Sequence, residues 1–196
     1  WEKERGSQIY LTQPSAGGVV QDITWAQAAQ QVRCMAGWLQ SQGWPAGSRV
    51  GIIGKNSAHW ILADLAIVMA GYVSVPIYPT FNAEALAYIL SHSEARALFV
   101  GKMDDIANIN NGVPADLPIV ALPLAPVLAR AARQWDELVK NTPPLGGQPV
   151  ADGDQISTII YTSGTTGQPK GVVHTFNTMA WGVSSATRRV RMDVND

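Results

Sequence analysis

Helix-like and strand-like patterns alternate along the first half of the chain, and this alternation limits the fold more than any other feature. Residues 24–42 carry apolar side chains at steps of three and four, and Thr24-Trp-Ala-Gln27 at their start has the spacing of a capping box. Gly43 and Pro45 are stop signals for that helix. The run Arg49–Ile53 follows and predicts a short buried strand.

The same order of elements recurs directly afterwards. A second helix is predicted from Ser57 to Gly71, followed by a strand over residues 72–75. Pro76 and Pro79 are expected to bound a turn, because proline has no backbone N–H group to give to a central strand.

A third helix is capped by Asn82 and leads to a strand over residues 95–100. Its inward-facing apolar residues are Leu86, Ile89 and Leu90. Helices and strands that alternate in this way predict an α/β fold, with a mostly parallel sheet covered by helices on both faces. Ligands bind such sheets beyond the carboxyl ends of the strands.

The pattern is less regular in the next part of the chain. A strand is predicted over residues 117–122, and a helix over 125–140 with Trp135, Leu138 and Val139 facing inward. Residues 141–154 are rich in proline and glycine and are expected to form an exposed connection.

A loop rich in glycine and hydroxyl groups lies at residues 161–171, which read Tyr-Thr-Ser-Gly-Thr-Thr-Gly-Gln-Pro-Lys-Gly, directly after the apolar strand Ile156–Ile160. Its glycines allow a tight turn that brings backbone N–H groups close to an anion. Hydroxyl groups add hydrogen-bond donors, and a lysine adds positive charge. The loop is therefore predicted to bind phosphate through Thr162, Ser163, Gly164, Thr165, Thr166, Gly167 and Lys170.

Other interpretations of this loop fit less well. A flexible linker has a similar composition, but a linker does not sit against a strand. In a Walker A loop the lysine is followed by serine or threonine, whereas Lys170 lies between Pro169 and Gly171. Ser163 lacks the Gly-x-Ser-x-Gly elbow that surrounds a nucleophilic serine.

Beyond the loop, residues 171–174 are predicted to return as a short strand. Asn177 is expected to cap a last helix that reaches about residue 189. His174, at the end of the returning strand, is expected to be a surface or packing residue.

The overall composition argues against several classes of protein. A net charge of −1, with no basic run longer than Arg188-Arg189, gives no sign of a nucleic-acid partner. Cys34 is the single cysteine, which excludes an internal disulfide and predicts a small buried apolar residue. Trp60–Ala70 is the most apolar stretch and is too short for a membrane helix, so it predicts a core helix. We expect a cytoplasmic protein and leave peripheral membrane association open.

The loop resembles the signature loop of the adenylate-forming (AMP-binding) enzymes, which include acyl-CoA synthetases, peptide-synthetase adenylation domains and luciferases. The resemblance covers nearly the whole chain and is strongest to the N-terminal portion of long-chain fatty-acid–CoA ligases. The segments that carry it, in the family's order, are Asp22-Ile-Thr-Trp-Ala-Gln, Arg49–Ile53, Asn56-Ser-Ala-His-Trp and Met69–Thr80.

This resemblance implies an ATP-dependent ligase that works in two steps. A fatty-acid carboxylate attacks the α-phosphate of ATP to give an acyl-adenylate and pyrophosphate, and CoA then displaces AMP. The loop would hold the β- and γ-phosphates, with Lys170 stabilising charge on the departing pyrophosphate. Thr162 or Thr166 would ligate Mg²⁺ through its hydroxyl oxygen. The implied partners are ATP, a fatty acid and CoA.

The family's later elements do not occur in residues 1–196. They are an aromatic motif of the acyl pocket, an acidic motif whose glutamate holds magnesium, a ribose-binding aspartate, a hinge and a C-terminal domain with a catalytic lysine. We therefore expect residues 1–196 to be an incomplete N-terminal part of the adenylation domain that is inactive alone. Two alternatives stay open, an enzyme that activates an amino or aryl acid and a non-catalytic nucleotide-binding module.

Overall fold

The computed structural model describes residues 1–147, 151–162 and 167–190, and it contains a seven-stranded sheet, a separate two-stranded hairpin and helices on both faces of the sheet. The strands are β1 (Ile9–Pro14), β2 (Val20–Thr24), β3 (Arg49–Ile53), β4 (Val73–Ile77), β5 (Leu98–Val100), β6 (Ile119–Ala121), β7 (Arg133–Gln134), β8 (Ile156–Thr162) and β9 (Lys170–Thr175). The helices are α1 (Glu2–Arg5), α2 (Trp25–Ser41), α3 (Ala58–Met69), α4 (Ala83–His92), α5 (Ala107–Gly112), α6 (Trp135–Asn141) and α7 (Phe176–Val190).

The strand order across the large sheet is β7-β6-β5-β3-β4-β8-β9. Every neighbouring pair in it is parallel except β8 and β9, which are antiparallel. The hairpin of β1 and β2 is joined to α3 by Gln13, whose side-chain oxygen accepts a hydrogen bond from the Ala58 N–H group at 2.8 Å. The predicted α/β fold with a mostly parallel sheet is confirmed.

Alternate residues of the central strands pack against different helix layers, because successive side chains of a strand point to opposite faces. Val50 and Ile52 of β3 belong to the core formed with α2, α3 and α6, and Ile53 belongs to the core formed with α4 and α5. A strand buried on both faces carries apolar residues without alternation, as the run at β3 does. The prediction of helices on both faces is therefore confirmed.

Three of the predicted helix starts, at Thr24, Ser57 and Asn82, agree with the structure. The Thr24 hydroxyl accepts from the Gln27 N–H group at 3.3 Å, and the Gln27 side chain accepts from the Thr24 N–H group at 2.9 Å, which completes the capping box. Ser57 and Asn82 likewise accept hydrogen bonds from backbone N–H groups in the first turns of α3 and α4. Caps depend on residues three apart, so the sequence alone indicates them.

Pro76 lies within β4 and does not bound a turn, so that prediction is wrong. The Val73 N–H group donates to the Ser48 carbonyl just before β3, and N–H groups alternate in direction along a strand. The nitrogen of Pro76 therefore faces β8, which among the described residues pairs with β4 at Ser74 and Thr158 alone. The register given for β4 and β8 does not include Pro76, which is consistent with the missing N–H group of proline.

The predicted helix over residues 125–140 is wrong in its first half. Helix α6 begins at Trp135, and the two residues before it form β7 beside β6. The Arg130 guanidinium donates to the carbonyl groups of Val113, Pro114, Ala115 and Leu117 at distances of 2.7–3.3 Å. These long-range hydrogen bonds hold the segment beside the start of β6 and outweigh its local helical propensity.

Helix α7 is capped by Thr175 and not by Asn177, which corrects a further prediction. The Thr175 hydroxyl accepts from the Thr178 N–H group at 3.3 Å, and the Thr178 hydroxyl accepts from the Thr175 N–H group at 2.9 Å. Asn177 donates from its side-chain amide to the Asp154 carboxylate at 3.0 Å instead. Asn177 thereby ties the first turn of α7 to the residues before β8.

Three further sequence predictions concern Cys34, membrane-spanning helices and the connection over residues 141–154, of which residues 148–150 lie outside the described residues. Cys34 is buried, and burial raises the pKa of its thiol. Within residues 1–147, 151–162 and 167–190, no helix has both the length and the apolar character needed to cross a membrane. In the predicted connection 141–154, the Arg33 guanidinium donates to the Leu145 and Gly147 carbonyl groups, which ties this segment to α2.

Candidate functional site

The predicted phosphate loop connects β8 to β9 and lies at the carboxyl edge of the parallel strands, because β8 runs parallel to β4. The last paired residues before the loop are Thr162 and Lys170, which lie opposite each other. Residues opposite each other in an antiparallel pair place their side chains on the same face. The structure therefore brings these two predicted site residues together, and both are exposed.

The other predicted phosphate-binding residues are only partly covered by the structure. Ser163, Gly164, Thr165 and Thr166 lie outside the described residues. Gly167 is exposed and has a φ of 95°, a backbone conformation that residues with a side chain rarely adopt. Pro169, directly before Lys170, is buried.

Gly171 provides the space that a large side chain needs at the base of the loop. It lies opposite Tyr161 in the hairpin. A Cβ atom at Gly171 would stand 3.0 Å from Ile159 Cγ2 and 3.2 Å from Tyr161 Cζ. The absence of a side chain at residue 171 therefore lets the tyrosine ring lie close against β9.

Tyr161 also contacts helix α4, through His92. Its hydroxyl and His92 Nδ1 are 2.7 Å apart, and the two rings meet edge to face at 5.8 Å between centroids. Burial raises the pKa of the Tyr161 phenol, with Tyr88 raising it further and Arg49 lowering it. Sequence reasoning missed this pair, because 69 positions separate the two residues and no local pattern links them.

The electrostatics at this edge distinguish two lysines. Lys55, which follows β3, forms an ion pair with Asp104 at 2.5 Å. Lys170 has no carboxylate within ion-pair distance in the part of the chain that the structure describes. Its positive charge is therefore available to an anion at the loop.

The position between β3 and β5 is the topological switch point of the sheet, because helices α3 and α5, which follow these two strands, pack on opposite faces. Such a point is the usual place for a ligand in an open α/β sheet. Here the backbones themselves fill it: a Cβ atom on Gly54 would lie 2.9 Å from Gly101 Cα, and the Lys55 N–H group donates to the Lys102 carbonyl at 2.7 Å. The hairpin loop, farther along the same edge, is thus the better candidate site.

A cavity of about 810 Å³ lies at the opposite, amino edge of the sheet. Its lining is mainly apolar and includes Trp25, Val32, Met69, Tyr72, Ile156 and Phe176. Because Ile156 is the first residue of β8 and Thr162 the last, the full length of that strand separates this cavity from the loop. The cavity is therefore not part of the candidate phosphate site.

Magnesium ligands are sparse in this region. No cluster of three or more His, Cys, Asp or Glu side chains suited to a metal ion occurs in residues 1–147, 151–162 and 167–190. Thr162 offers one hydroxyl oxygen, which suits Mg²⁺ when phosphate oxygens and water supply the remaining ligands. The second predicted ligand, Thr166, lies outside the described residues.

Comparison with protein families gives one match that covers almost the whole chain. The family described as AMP-binding enzyme matches residues 3–196. A long-chain-fatty-acid–CoA ligase of Mycobacterium bovis, FadD15, is 36% identical over 179 residues, which are 87% of this chain and 29% of that protein. A long-chain-fatty-acid–CoA ligase of Xenopus laevis, ACSBG2, is 30% identical and is matched over 87% of this chain and 24% of its own length.

Solved structures give the same assignment of fold. The anthranilate CoA ligase AuaEII, in complex with anthranoyl-AMP, superposes with a TM-score of 0.73 at 25% identity, covering 89% of this chain and 33% of that one. The chain thus spans less than a third of the length of the curated relatives described above.

Proposed function

Because the chain belongs to the AMP-binding enzyme family, we propose that it forms the phosphate-binding part of an ATP-dependent ligase that activates a long-chain fatty acid and transfers it to CoA. The family and the named relatives support the broader class, an adenylate-forming acid–CoA ligase. The observation that carries the proposal is the β8–β9 hairpin, which sets Thr162 and Lys170 side by side at the carboxyl edge of the sheet, with no carboxylate within ion-pair distance of Lys170 among the described residues.

The choice of a long-chain fatty acid rests on the curated relatives. Two of them, at 36% and 30% identity, carry that substrate in their names. The anthranilate CoA ligase AuaEII has a similar structure, which makes an aryl acid the second candidate substrate. The fatty-acid enzymes have the higher sequence identity to this chain, which favours a long-chain fatty acid as the substrate.

Each described residue of the site has a distinct role in the proposed first step. Lys170 would neutralise negative charge that builds on the pyrophosphate as the fatty-acid carboxylate displaces it from the α-phosphate. Backbone N–H groups of the loop would orient the β- and γ-phosphates, and Gly167 would allow the chain to turn around them. Such chemistry depends on position and charge more than on covalent participation by the protein.

Thr162 is the described residue that would contribute to a magnesium site. Its neutral hydroxyl would complete a coordination shell made chiefly by phosphate oxygens and water. Mg²⁺ supplies positive charge to the triphosphate when it is bound. Thr162 would then hold the triphosphate on the same face of the hairpin as Lys170.

The first test is calorimetric titration of the 196-residue chain with inorganic pyrophosphate. We expect binding by the unmodified chain and about a tenfold weaker affinity for Lys170→Ala, since one charge-assisted hydrogen bond is worth about 1.5–3 kcal/mol. Lys102→Ala is the matched control, because it removes the same charge from an exposed residue at the same edge. Equal losses in the two variants would refute a specific role for Lys170.

The second test addresses the reaction and its acid. We expect the 196-residue chain alone to release no pyrophosphate from ATP with palmitate, since the family's later elements are not among its residues; release would contradict this. In the longer enzyme to which we assign this segment, palmitate should support exchange of pyrophosphate into ATP, and Lys170→Ala should slow it. Exchange with benzoate but not palmitate would favour the aryl-acid alternative.

A further inference from the structure

We propose that His92 is a positioning residue for the phosphate loop, which fixes Tyr161 and through it the strand ends that carry Thr162 and Lys170. The catalytic consequence of this role rests on the function proposed above. The positioning itself is a property of the folded chain and can be measured without a ligand.

The contact between His92 and Tyr161 joins α4 and β8, two elements that are far apart in sequence. Tyr161 is the second-last residue of β8 and is 1% exposed, whereas His92 is the last residue of α4 and is exposed. The Tyr161 hydroxyl is therefore buried and depends on His92 Nδ1, at 2.7 Å, for its hydrogen bond. A buried hydroxyl without a partner is unfavourable, so this bond favours one position of the ring.

The tyrosine ring transmits that position to both strands of the hairpin. Tyr161 directly precedes Thr162 in β8, and across the hairpin it lies opposite Gly171, which directly follows Lys170. The ring would be 3.2 Å from a Cβ atom at residue 171, so it lies close against the β9 backbone. Moving the ring would therefore move both residues that flank the loop.

The other contacts at this end of the hairpin are apolar packing of Tyr161 in the core beside α4 and the pairing of β8 with β9. The register of β8 with β4 pairs Thr158 with Ser74, and Thr158 lies four residues before Thr162; β9 is the edge strand of the described sheet. Tyr88 supports the His92 ring, at 5.2 Å between centroids. The pair of His92 and Tyr161 is thus the hydrogen-bonded link between α4 and the base of the loop.

Substitutions at His92 can separate the hydrogen bond from simple loss of bulk. His92→Ala removes the bond and leaves the buried Tyr161 hydroxyl without its partner. His92→Asn places an amide atom where imidazole Nδ1 stands, and His92→Gln places it nearer to Nε2. His174→Ala is the control, since the His174 side chain makes no hydrogen bond within the described residues.

The first measurement is backbone amide hydrogen exchange in the 196-residue chain. We expect His92→Ala to accelerate exchange about tenfold at those amides of Tyr161, Thr162, Lys170 and Gly171 that bond across the hairpin, while amides of the buried strand β3 are unchanged. His92→Asn should restore slow exchange, and His92→Gln should restore it less. Once Tyr161→Phe has removed the hydroxyl, His92→Ala should add no further acceleration.

The second measurement is the affinity of the same variants for inorganic pyrophosphate, which should fall several-fold in His92→Ala and recover in His92→Asn. Unchanged exchange in His92→Ala, or equally fast exchange in His92→Asn, would overturn the proposal. If the unmodified chain does not bind pyrophosphate, the proposed function fails. The exchange rates then still decide whether His92 positions the loop.

Discussion

The sheet from β7 to β4 and the β8–β9 hairpin with α7 are stabilised in different ways. In the first region helices cover both faces, and side chains such as Ile52 and Phe99 are fully buried. In the second region Val172, Val173 and Trp181 are 44%, 52% and 75% exposed. The stability of the described chain therefore comes mainly from the first region, whereas the proposed phosphate-binding residues belong to the second.

This difference indicates how the fold places its candidate site. A loop on a thinly packed hairpin can adapt to a ligand, but only a few contacts then set its position. Gly171, Tyr161 and His92 provide those contacts at the base of the loop. We therefore expect substitutions in the first region to change global stability, and substitutions near the loop to act mainly on the site.

The largest effect should come from opening a cavity in the first region. Phe99→Ala would remove a fully buried ring that lies edge to face with Trp135. We expect the free energy of unfolding, measured by urea denaturation, to fall by about 3–5 kcal/mol.

Val172→Ala is the matched truncation in the second region. Because Val172 is half exposed on an edge strand, its loss should change stability by about 0.5 kcal/mol or less. Similar losses at residues 99 and 172 would contradict the division of the molecule into a stable and a thinly packed region.

A smaller effect is expected for Gly171→Ala. The new methyl group would meet Ile159 and the hydrogen-bonded Tyr161 ring at 3.0–3.2 Å. We expect a net loss of about 1 kcal/mol together with weaker pyrophosphate binding, since the ring is held in place and cannot move aside.

Gly182→Ala is the control for that substitution. Gly182 lies in α7 with open space around it, so alanine should raise helical stability by about 0.5–1 kcal/mol and leave pyrophosphate binding unchanged. A stabilising effect at both glycines would show that Tyr161 is free to shift.

The features that sequence predicted correctly are those that depend on near neighbours. The cap at Thr24, the buried strand at residues 49–53 and the returning strand after Lys170 all follow from patterns within a few residues. Pro76 and residues 125–134 were misassigned because their conformation depends on partner strands and on Arg130.

The candidate site likewise has one part with a local sequence signal and another part that depends on contacts between distant residues. The composition of residues 161–171 indicates a phosphate loop, and the structure then shows that Thr162 lies opposite Lys170. The contact of His92 with Tyr161 has no local signal, since it arises only when α4 packs beside β8.

A stability effect that depends on pH is predicted for Asp64, which lies on α3 near the junction of the two regions. Burial raises the pKa of its carboxyl above the ordinary value of 3.8, and the neighbouring Ser74 hydroxyl partly offsets this. The folded chain therefore binds this proton more tightly than the unfolded chain. As the pH rises through 3.8 and then through the raised pKa, the partly buried carboxylate ionises and disfavours folding.

Asp64→Asn should therefore stabilise the chain at pH 7, by no more than the roughly 0.5–2 kcal/mol that a single stabilising substitution provides, and should have little effect well below pH 3.8. Its amide can also donate to the neighbouring Ser74 hydroxyl, which lacks a hydrogen-bond partner of good geometry among the described residues. Urea denaturation across this pH range measures the difference, with the exposed Asp116→Asn as control. A lower free energy of unfolding for Asp64→Asn at pH 7 would mean that the ionised carboxylate stabilises the fold. A higher free energy of unfolding that does not vary with pH would mean that ionisation of Asp64 is not the cause.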